Sequence, residues 1–139
     1  FVTLDLALDF AKTPRLAIAR ADTCGDAEFA GVVGALQATG CVVSRVDDIA
    51  GMVLMRIVAM LANEAADVVT QGIASAADAD TAMRLGTNWP LGPLAWADRL
   101  TARRVAEVLD HVRAHTGEER YRVSPALQRR RWSGGTFHG

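Results

Sequence analysis

The longest apolar pattern in the chain predicts one helix over Met52–Gln71. Up to Ala62, Arg56 is the only polar side chain in this stretch. Polar residues at helical spacing place one polar stripe on the helix, and the rest of its surface is apolar nearly all round. The stripe consists of Arg56, Asn63, Asp67 and Thr70. A helix of this kind is buried in a core or against another subunit, so we expect an aspartate at Leu61 to unfold the domain.

Four shorter helices are predicted after this one. Each begins at a residue that commonly caps a helix or occupies its first position. They run from Ala76 to Leu85, from Pro93, from Ala102 to His115 and from Pro125 to about Trp132, after the capping residues Ser75, Gly92, Thr101 and Ser124. Gly86 and Gly117 are predicted to end the first and third of them. The chain from Asp47 onward is therefore expected to hold five helices.

The chain before Asp47 predicts a strand, a helix and a second strand. The strands are Arg15–Arg20 and Cys41–Val46, and the helix between them starts near Asp26 and ends at Gly40. Strands joined through a helix lie parallel, so this is a βαβ unit. The first twelve residues fit a short strand or a turn of helix equally well. Their alternate apolar positions are Leu4, Leu6, Leu8 and Phe10.

The predicted βαβ unit lacks the sequence that a dinucleotide site requires. A Gly-x-Gly-x-x-Gly turn between strand and helix lets backbone amides reach a pyrophosphate. Nothing between Arg15 and Gly40 matches it. The single lysine, Lys12, is also not preceded by the Gly-x-x-x-x-Gly sequence of a phosphate-binding P-loop.

Four motifs follow one another from Asp47 to the end of the chain. They are Asp-x-x-Gly leading into the long helix with its Arg and Asn-Glu-Ala, then Ala74–Gly86, then Trp89–Asp98 with its Pro-Leu-Gly-Pro-Leu, and finally Glu119–Leu127. Their order and spacing resemble the C-terminal domain of the 3-hydroxyacyl-CoA dehydrogenases. The resemblance implies a mostly α fold: a five-helix domain of this type over residues 47–139, preceded by a small βαβ remnant of a dinucleotide-binding fold over residues 1–46.

The same resemblance implies an enzymatic parent protein. Such a parent is an NAD-dependent oxidoreductase of fatty acid β-oxidation that converts 3-hydroxyacyl-CoA, including short chains such as 3-hydroxybutyryl-CoA, to 3-oxoacyl-CoA. This part of it would serve subunit association, as a homodimer, and closure of the acyl-CoA cleft.

One position departs from the family pattern at the expected active site. In the family, an asparagine directly before the arginine of the long helix helps to hold the substrate oxygen. Met55 occupies that position here, and a thioether cannot donate a hydrogen bond to a developing alkoxide. Some family members carry two tandem C-terminal domains, and this chain resembles the second, non-catalytic copy. We therefore expect no catalytic residue and no bound NAD in this chain alone, and we treat Met55, Arg56, Asn63 and Pro93 as cleft or structural candidates.

Composition narrows the class of partner. Half of the residues are hydrophobic and the net charge is −1, so nothing global draws the chain to nucleic acid or to an anionic membrane. The apolar run of the long helix is too short to span a bilayer. Two cysteines make no disulfide framework, which is typical of the reducing cytoplasm. The first residue is Phe1, which indicates a piece of a longer polypeptide.

Three polar or aromatic clusters have competing interpretations. His111 and His115 could place two metal ligands on one helix face, but no third ligand completes a site, so we expect no metal. A corner built from Trp89, Pro90, Pro93 and Trp96 fits a rigid turn better than a wall of the acyl cleft. We expect Asp98 to cap or pair locally along the chain.

The third cluster is basic and lies near the end of the chain. It comprises Arg120, Tyr121, Arg122, Arg129, Arg130, Arg131 and Trp132. A solvated face paired with Glu118 and Glu119 is the favoured interpretation. Contact with the phosphates of coenzyme A and contact with nucleic acid remain open. The rival functions are accordingly a helical interaction module unrelated to acyl-CoA and a nucleic-acid binder.

Overall fold

The computed structural model describes residues 1–7 and 9–139, so Leu8 of the alternating stretch lies outside the described residues. The chain divides into two compact units, Phe1–Met55 and Arg56–Gly139. The domain boundary between residues 46 and 47 stays a prediction.

The first unit is a three-stranded sheet with one helix. Its elements are β1 (Val2–Leu4), β2 (Arg15–Arg20), α1 (Asp26–Ala38) and β3 (Val42–Val46). The sheet order is β1-β2-β3. β2 and β3 are parallel, with Arg15 opposite Val42, which confirms the predicted βαβ unit. β1 pairs antiparallel to β2, so the start of the chain is a strand rather than a turn of helix.

A small apolar core joins the sheet to α1. Ile18 of β2 packs with Cys24, Phe29 and Val33, and Val2, Leu36 and Val43 pack against this group. Thr39 ends α1 and Gly40 follows with a φ of 85°. Glycine adopts this left-handed conformation without strain, which is why the helix stops where the sequence predicts.

Among the described residues, five α-helices follow the small unit. They are α2 (Leu54–Thr70), α3 (Ala76–Thr87), α4 (Pro93–Leu100), α5 (Ala102–Thr116) and α6 (Pro125–Ser133), with a 3-10 turn at Glu119–Tyr121. The first two residues of α2 belong to the first unit. The five-helix prediction is confirmed.

Two helix boundaries differ from the predicted ones by two residues. The long helix begins at Leu54 rather than Met52, because Gly51 and Met52 have φ angles of 76° and 50° that no α-helix contains. α3 runs past Gly86 to Thr87 and ends at Asn88, whose φ is 56°. Asparagine tolerates the left-handed region better than most residues, so it replaces glycine as the stop signal.

The predicted caps are present at the helix starts. The Ser75 hydroxyl accepts the N–H of Asp78 at 3.2 Å, and the Thr101 hydroxyl accepts the N–H of Arg104 at 3.3 Å. Ser124 does the same for Leu127. Each cap satisfies a donor that the first turn of a helix leaves without an intrahelical acceptor.

The core of the helical unit lies along one side of α2 and along α5. The fully buried side chains include Val58, Leu94, Val105, Leu109, Val112 and Leu127. Within this chain α2 is buried over only part of its surface, because Ile57 is 43% exposed and Leu61 is half-buried. Burial of its other apolar side chains against another subunit stays a prediction. The buried side chains of α2 are mainly alanines, which include Ala59, Ala62 and Ala66. The larger side chains of Leu61 and Val68 lie at the edge of a groove.

Candidate functional site

Met55 lies in the first turn of α2, where the carboxylate of Asp5 holds the backbone. The carboxylate of Asp5 accepts the N–H groups of Val53 at 3.0 Å, Leu54 at 2.6 Å and Met55 at 3.0 Å. Asp5 is 3% exposed, and all four residues belong to the first unit. The N-terminus of α2 is therefore capped by the protein's own negative charge. Sequence reasoning did not identify Asp5, which stands alone among apolar residues.

Asn63 fixes the chain that leads into α6. Its side-chain amide donates to the carbonyl of Arg122 at 2.8 Å and accepts the N–H of Ser124 at 2.8 Å. Asn63 and Ser124 are both buried. Because both halves of the amide are used, Asn63 has a structural role in this unit.

Two other polar residues of the α2 stripe, Arg56 and Asp67, reach the same segment. Arg56 lies with its guanidinium carbon 5.9 Å from the centre of the Tyr121 ring, a cation–π contact. Asp67 pairs with Arg122 at 3.2 Å. The stripe therefore secures residues 121–124 against α2. A role for Met55, Arg56, Asn63 or Pro93 in a substrate cleft stays a prediction.

Pro93 opens α4 in a corner that a buried carboxylate clamps. Asp80 of α3 accepts the N–H of Leu94 and the N–H of Ala95, each at 2.8 Å. Asp80 is 6% exposed. A Cβ on Gly92 would lie 2.2 Å from Cγ of Asp80, so the position admits only glycine. The Pro-Leu-Gly-Pro-Leu motif therefore contains the start of α4, and the Asp80 carboxylate caps that start. Asp80 was not identified from the sequence.

The two tryptophans of the corner have different environments. Trp96 is buried, and Trp89 is half-buried. Trp96 therefore fills the core as the rigid-turn interpretation requires.

Asp98 anchors the last residues of the chain. Its carboxylate accepts the N–H of Phe137 at 2.7 Å and the N–H of His138 at 3.2 Å. The ring of His138 also contacts Asp98 at 2.9 Å and Asp80 at 3.3 Å. The prediction that Asp98 pairs locally is wrong, because its partners are 39 and 40 residues away. The glycine-rich tail is thereby tied to α3 and α4.

The basic C-terminal cluster is largely engaged in contacts within the protein. Arg120 pairs with Glu118 at 2.5 Å, and Arg131 pairs with Asp110 at 2.5 Å. Glu119 pairs instead with Arg113. The favoured interpretation of a paired, solvated face is therefore confirmed for Arg120 and corrected for Glu119.

Arg130 is a half-buried member of this cluster. Its Nε donates to the carbonyl of Thr136 at 2.8 Å, and its guanidinium carbon lies 3.8 Å from the centre of the Phe137 ring. Burial lowers the pKa of Arg130, the nearby carboxylate of Asp98 raises it, and Arg129 lowers it further. The Arg130 guanidinium group therefore packs the tail against α6. Its face toward the Phe137 ring is covered and is not open to another group.

The N-terminus of α1 is the place where a dinucleotide fold would receive a pyrophosphate. Here the Glu28 carboxylate accepts the N–H of Gly25 at 3.0 Å, and Asp26 pairs with Arg20. Two carboxylates of the chain itself occupy this helix start. A pyrophosphate would meet like charges there, so the residues present do not fit a nicotinamide dinucleotide.

Comparison with known protein families gives two adjacent matches. Residues 51–134 match the model described as 3-hydroxyacyl-CoA dehydrogenase, C-terminal domain. This chain belongs to the 3-hydroxyacyl-CoA dehydrogenase family. Residues 1–49 match the model described as 3-hydroxybutyryl-CoA dehydrogenase reduced Rossmann-fold domain.

Individual members of the family resemble the chain in sequence. The 3-hydroxyadipyl-CoA dehydrogenase of Escherichia coli strain K12 is 47% identical over 95 residues, which cover 68% of this chain and 20% of that protein. The 3-hydroxybutyryl-CoA dehydrogenase of Clostridioides difficile is 35% identical over 77 residues, which cover 55% of this chain and 27% of that protein. The chain thus spans only a minor part of these relatives.

Solved structures of family members have the same fold. The 3-hydroxybutyryl-CoA dehydrogenase of Escherichia coli K12 matches with a TM-score of 0.85 and 39% identity over 96% of this chain and 28% of its own. The (S)-3-hydroxybutyryl-CoA dehydrogenase of Ralstonia eutropha matches with a TM-score of 0.81 and 27% identity over 89% of this chain and 44% of its own. Both units of the chain therefore fold as parts of 3-hydroxyacyl-CoA dehydrogenases do.

An apolar groove runs beside α2 in the helical domain of this family member. Leu61, Ala65 and Val68 line one side, and Ala79 and Met83 of α3 line the other. Its volume is about 440 Å³. No helix among the described residues has the length and hydropathy that a membrane span needs. In the same residues, no group of three or more His, Cys, Asp or Glu side chains could hold a metal ion.

Proposed function

We propose that this chain is the reduced Rossmann unit and the second helical domain of a longer NAD-dependent 3-hydroxyacyl-CoA dehydrogenase. The observation that carries the proposal is the direct succession of the two family matches, a reduced Rossmann domain followed by the C-terminal domain. In the parent, we place the helical domain at the acyl-CoA cleft, which it helps to close. The relatives' names indicate short acyl chains, such as 3-hydroxybutyryl and 3-hydroxyadipyl groups.

The parent's reaction is oxidation of 3-hydroxyacyl-CoA to 3-oxoacyl-CoA with NAD, as in fatty acid β-oxidation. The hydride acceptor and the base belong to other parts of the parent. Hydride transfer requires a cofactor held against the substrate carbon and a base within reach of the hydroxyl proton. In this chain the helix start of the Rossmann remnant is filled by Glu28, and Met55 offers no side-chain donor.

Localisation of the parent in the cytoplasm is part of the same proposal. Cys24 and Cys41 are free thiols, and free thiols are typical of a reducing compartment. Cys24 is buried and Cys41 is half-buried.

The isolated chain should not oxidise NADH in the presence of acetoacetyl-CoA. The Met55→Asn variant should be equally inactive, because an amide on α2 supplies neither the cofactor nor the base. A spectrophotometric assay at increasing chain concentration measures this, and a fraction purified in the same way from host cells that do not express the chain controls for a contaminating host enzyme. Turnover that rises with the concentration of folded chain would contradict the proposal.

We further propose that the helical domain forms a homodimer through the apolar groove beside α2. In the helical unit, large apolar side chains of α2, of α3 and of the segment between them remain exposed, namely Ile57, Leu85 and Ile73. An apolar surface of this kind on a small domain is typical of an interface. A second copy of the chain is the occupant that we propose, since a symmetric pair buries the same groove on both partners.

Contrary to the expectation from the sequence that an aspartate at Leu61 unfolds the domain, the Leu61→Asp variant should remain folded and shift from dimer to monomer. Leu61 is half-buried, so an aspartate there keeps contact with water in the monomer and loses it in the dimer. We expect dimerisation to weaken by at least about tenfold, measured by sedimentation equilibrium over a dilution series.

The Val32→Asp variant is the matched control, because Val32 lies exposed on α1. It should sediment as the parental chain does. Equal dimerisation of the two variants would exclude the groove as the interface, and a parental chain that is monomeric at every concentration would exclude the dimer.

The rival functions have less support than the dehydrogenase. Membership of the family favours a link to acyl-CoA over an unrelated interaction module. A nucleic-acid surface requires free guanidinium groups along the C-terminal cluster, whereas Arg120, Arg122 and Arg131 are paired with carboxylates.

A further inference from the structure

A cleft of about 320 Å³ opens between the start of α5, the end of α6 and the tail that follows α6. Arg103 of α5 lines it together with Arg130 and Arg131 of α6. Asp98 and the backbone of residues 134–136 complete the wall. We call this space the arginine cleft. It lies entirely within the helical unit.

The guanidinium groups of the arginine cleft retain unused donors. Arg131 uses Nη1 for Asp110, and Arg130 uses Nε and Nη1 for backbone carbonyls. Within residues 1–7 and 9–139, no ion pair or hydrogen bond engages the side chain of Arg103. Because a guanidinium carries five N–H donors, several of them remain available to a ligand in the cleft.

The carboxylates nearby leave the arginine cleft positive. Asp98 directs its oxygens to Phe137 and His138 of the tail, and Asp110 is matched by Arg131. Three arginines therefore stand against these two carboxylates, which leaves a net positive charge around the cleft. The first turn of α5 contains no acidic residue, so the helix dipole adds positive potential beside Arg103.

We propose that the arginine cleft binds the phosphate group of a small molecule. Guanidinium groups match the geometry of phosphate oxygens and bind them in pairs. The volume is at the lower end of small-ligand pockets, which run from about 300 to 1,000 Å³. Inorganic phosphate and the phosphates of coenzyme A both offer this chemistry. The proposal does not depend on the dehydrogenase function, because it rests only on the residues around the cleft.

Binding is tested by NMR of the full chain at low ionic strength. Inorganic phosphate, coenzyme A and dephospho-coenzyme A are titrated separately against the ¹⁵N-labelled protein. Saturable shifts should concentrate on the backbone amides of Arg103 and residues 134–136. Arg103→Gln should weaken binding by about tenfold, since it removes one charge-assisted contact.

Arg104→Gln is the matched control, because Arg104 is the exposed neighbour of Arg103 on α5 and does not line the cleft. It should keep the parental affinity. Tighter binding of coenzyme A than of dephospho-coenzyme A would identify the phosphomonoester as the ligand group. Equal binding of the two would identify the pyrophosphate, and binding of inorganic phosphate as tight as that of either would identify free phosphate.

Two results would overturn the proposal. One is the absence of saturable shifts with all three ligands, and the other is an equal loss of affinity in the Arg103 and Arg104 variants, which would indicate a diffuse effect of charge. Neither result would change the dehydrogenase assignment. Conversely, turnover by the isolated chain would leave the phosphate result intact.

Discussion

Replacing Gly92 with alanine should destabilise the helical unit by about 3 kcal/mol or more, a cost typical of severe overpacking. The new Cβ would lie 2.2 Å from Cγ, 2.3 Å from Cβ and 2.5 Å from Oδ1 of Asp80. Asp80 cannot move aside without releasing the N–H groups of Leu94 and Ala95 that it accepts. The start of α4 would therefore lose its cap and its position together.

Gly86→Ala is the control for this substitution. Gly86 lies inside α3, and a Cβ added there would meet nothing within 4 Å beyond the backbone of its own helix. Alanine there should stabilise the helix by up to about 1 kcal/mol. Urea unfolding followed by circular dichroism compares the two variants with the parental chain. Equal midpoints for Gly92→Ala and Gly86→Ala would show that the contact between Gly92 and Asp80 does not constrain the fold.

Replacing Asn63 with alanine should lower the free energy of unfolding by about 3 kcal/mol. The N–H of Ser124 and the carbonyl of Arg122 would each lose the partner that Asn63 provides. The N–H of Ser124 would stay away from water, since Asn63 and Ser124 are 2% and 0% exposed. Unsatisfied buried groups cost more than the lost hydrogen bonds alone.

Glu64→Ala serves as the control for Asn63→Ala, because Glu64 is the next residue on α2 and is exposed. It should change the free energy of unfolding by less than about 0.5 kcal/mol. The same denaturant titration measures both. A difference of less than about 0.5 kcal/mol between the two variants would contradict the role of Asn63 in holding residues 122–124.

The helix starts could be predicted because their signals are local. Ser75 and Thr101 each cap a backbone N–H three residues later, so a short sequence window contains the donor and the acceptor. Gly92 and Pro93 likewise stand side by side at the start of α4. The βαβ unit was predictable for a related reason, since each of its strands is a short local run rich in apolar residues.

The carboxylates that hold these elements together could not be predicted in the same way. Asp5 caps α2 from 48 residues away, Asp80 caps α4 from 14 residues away, and Asp98 holds a tail 39 residues away. Nothing near each aspartate in the sequence identifies its partner. Contacts between residues so far apart in the sequence can be identified only when the fold is known.

The α2 stripe illustrates the same limit at the candidate site. Helical spacing places Arg56, Asn63 and Asp67 on one face. It does not reveal that all three meet residues 121–124. Leu61 shows that the apolar pattern does not give the degree of burial either. It is an apolar residue on an apolar helix, yet it lies at the edge of a groove rather than in the core.

Isothermal titration of NADH into the purified chain tests most directly whether it is a non-catalytic part of a 3-hydroxyacyl-CoA dehydrogenase. A full-length dehydrogenase of the family serves as the positive control. We expect no saturable heat from the chain, because carboxylates fill the helix start where a pyrophosphate would bind. Saturable binding of one NADH per chain would contradict this assignment.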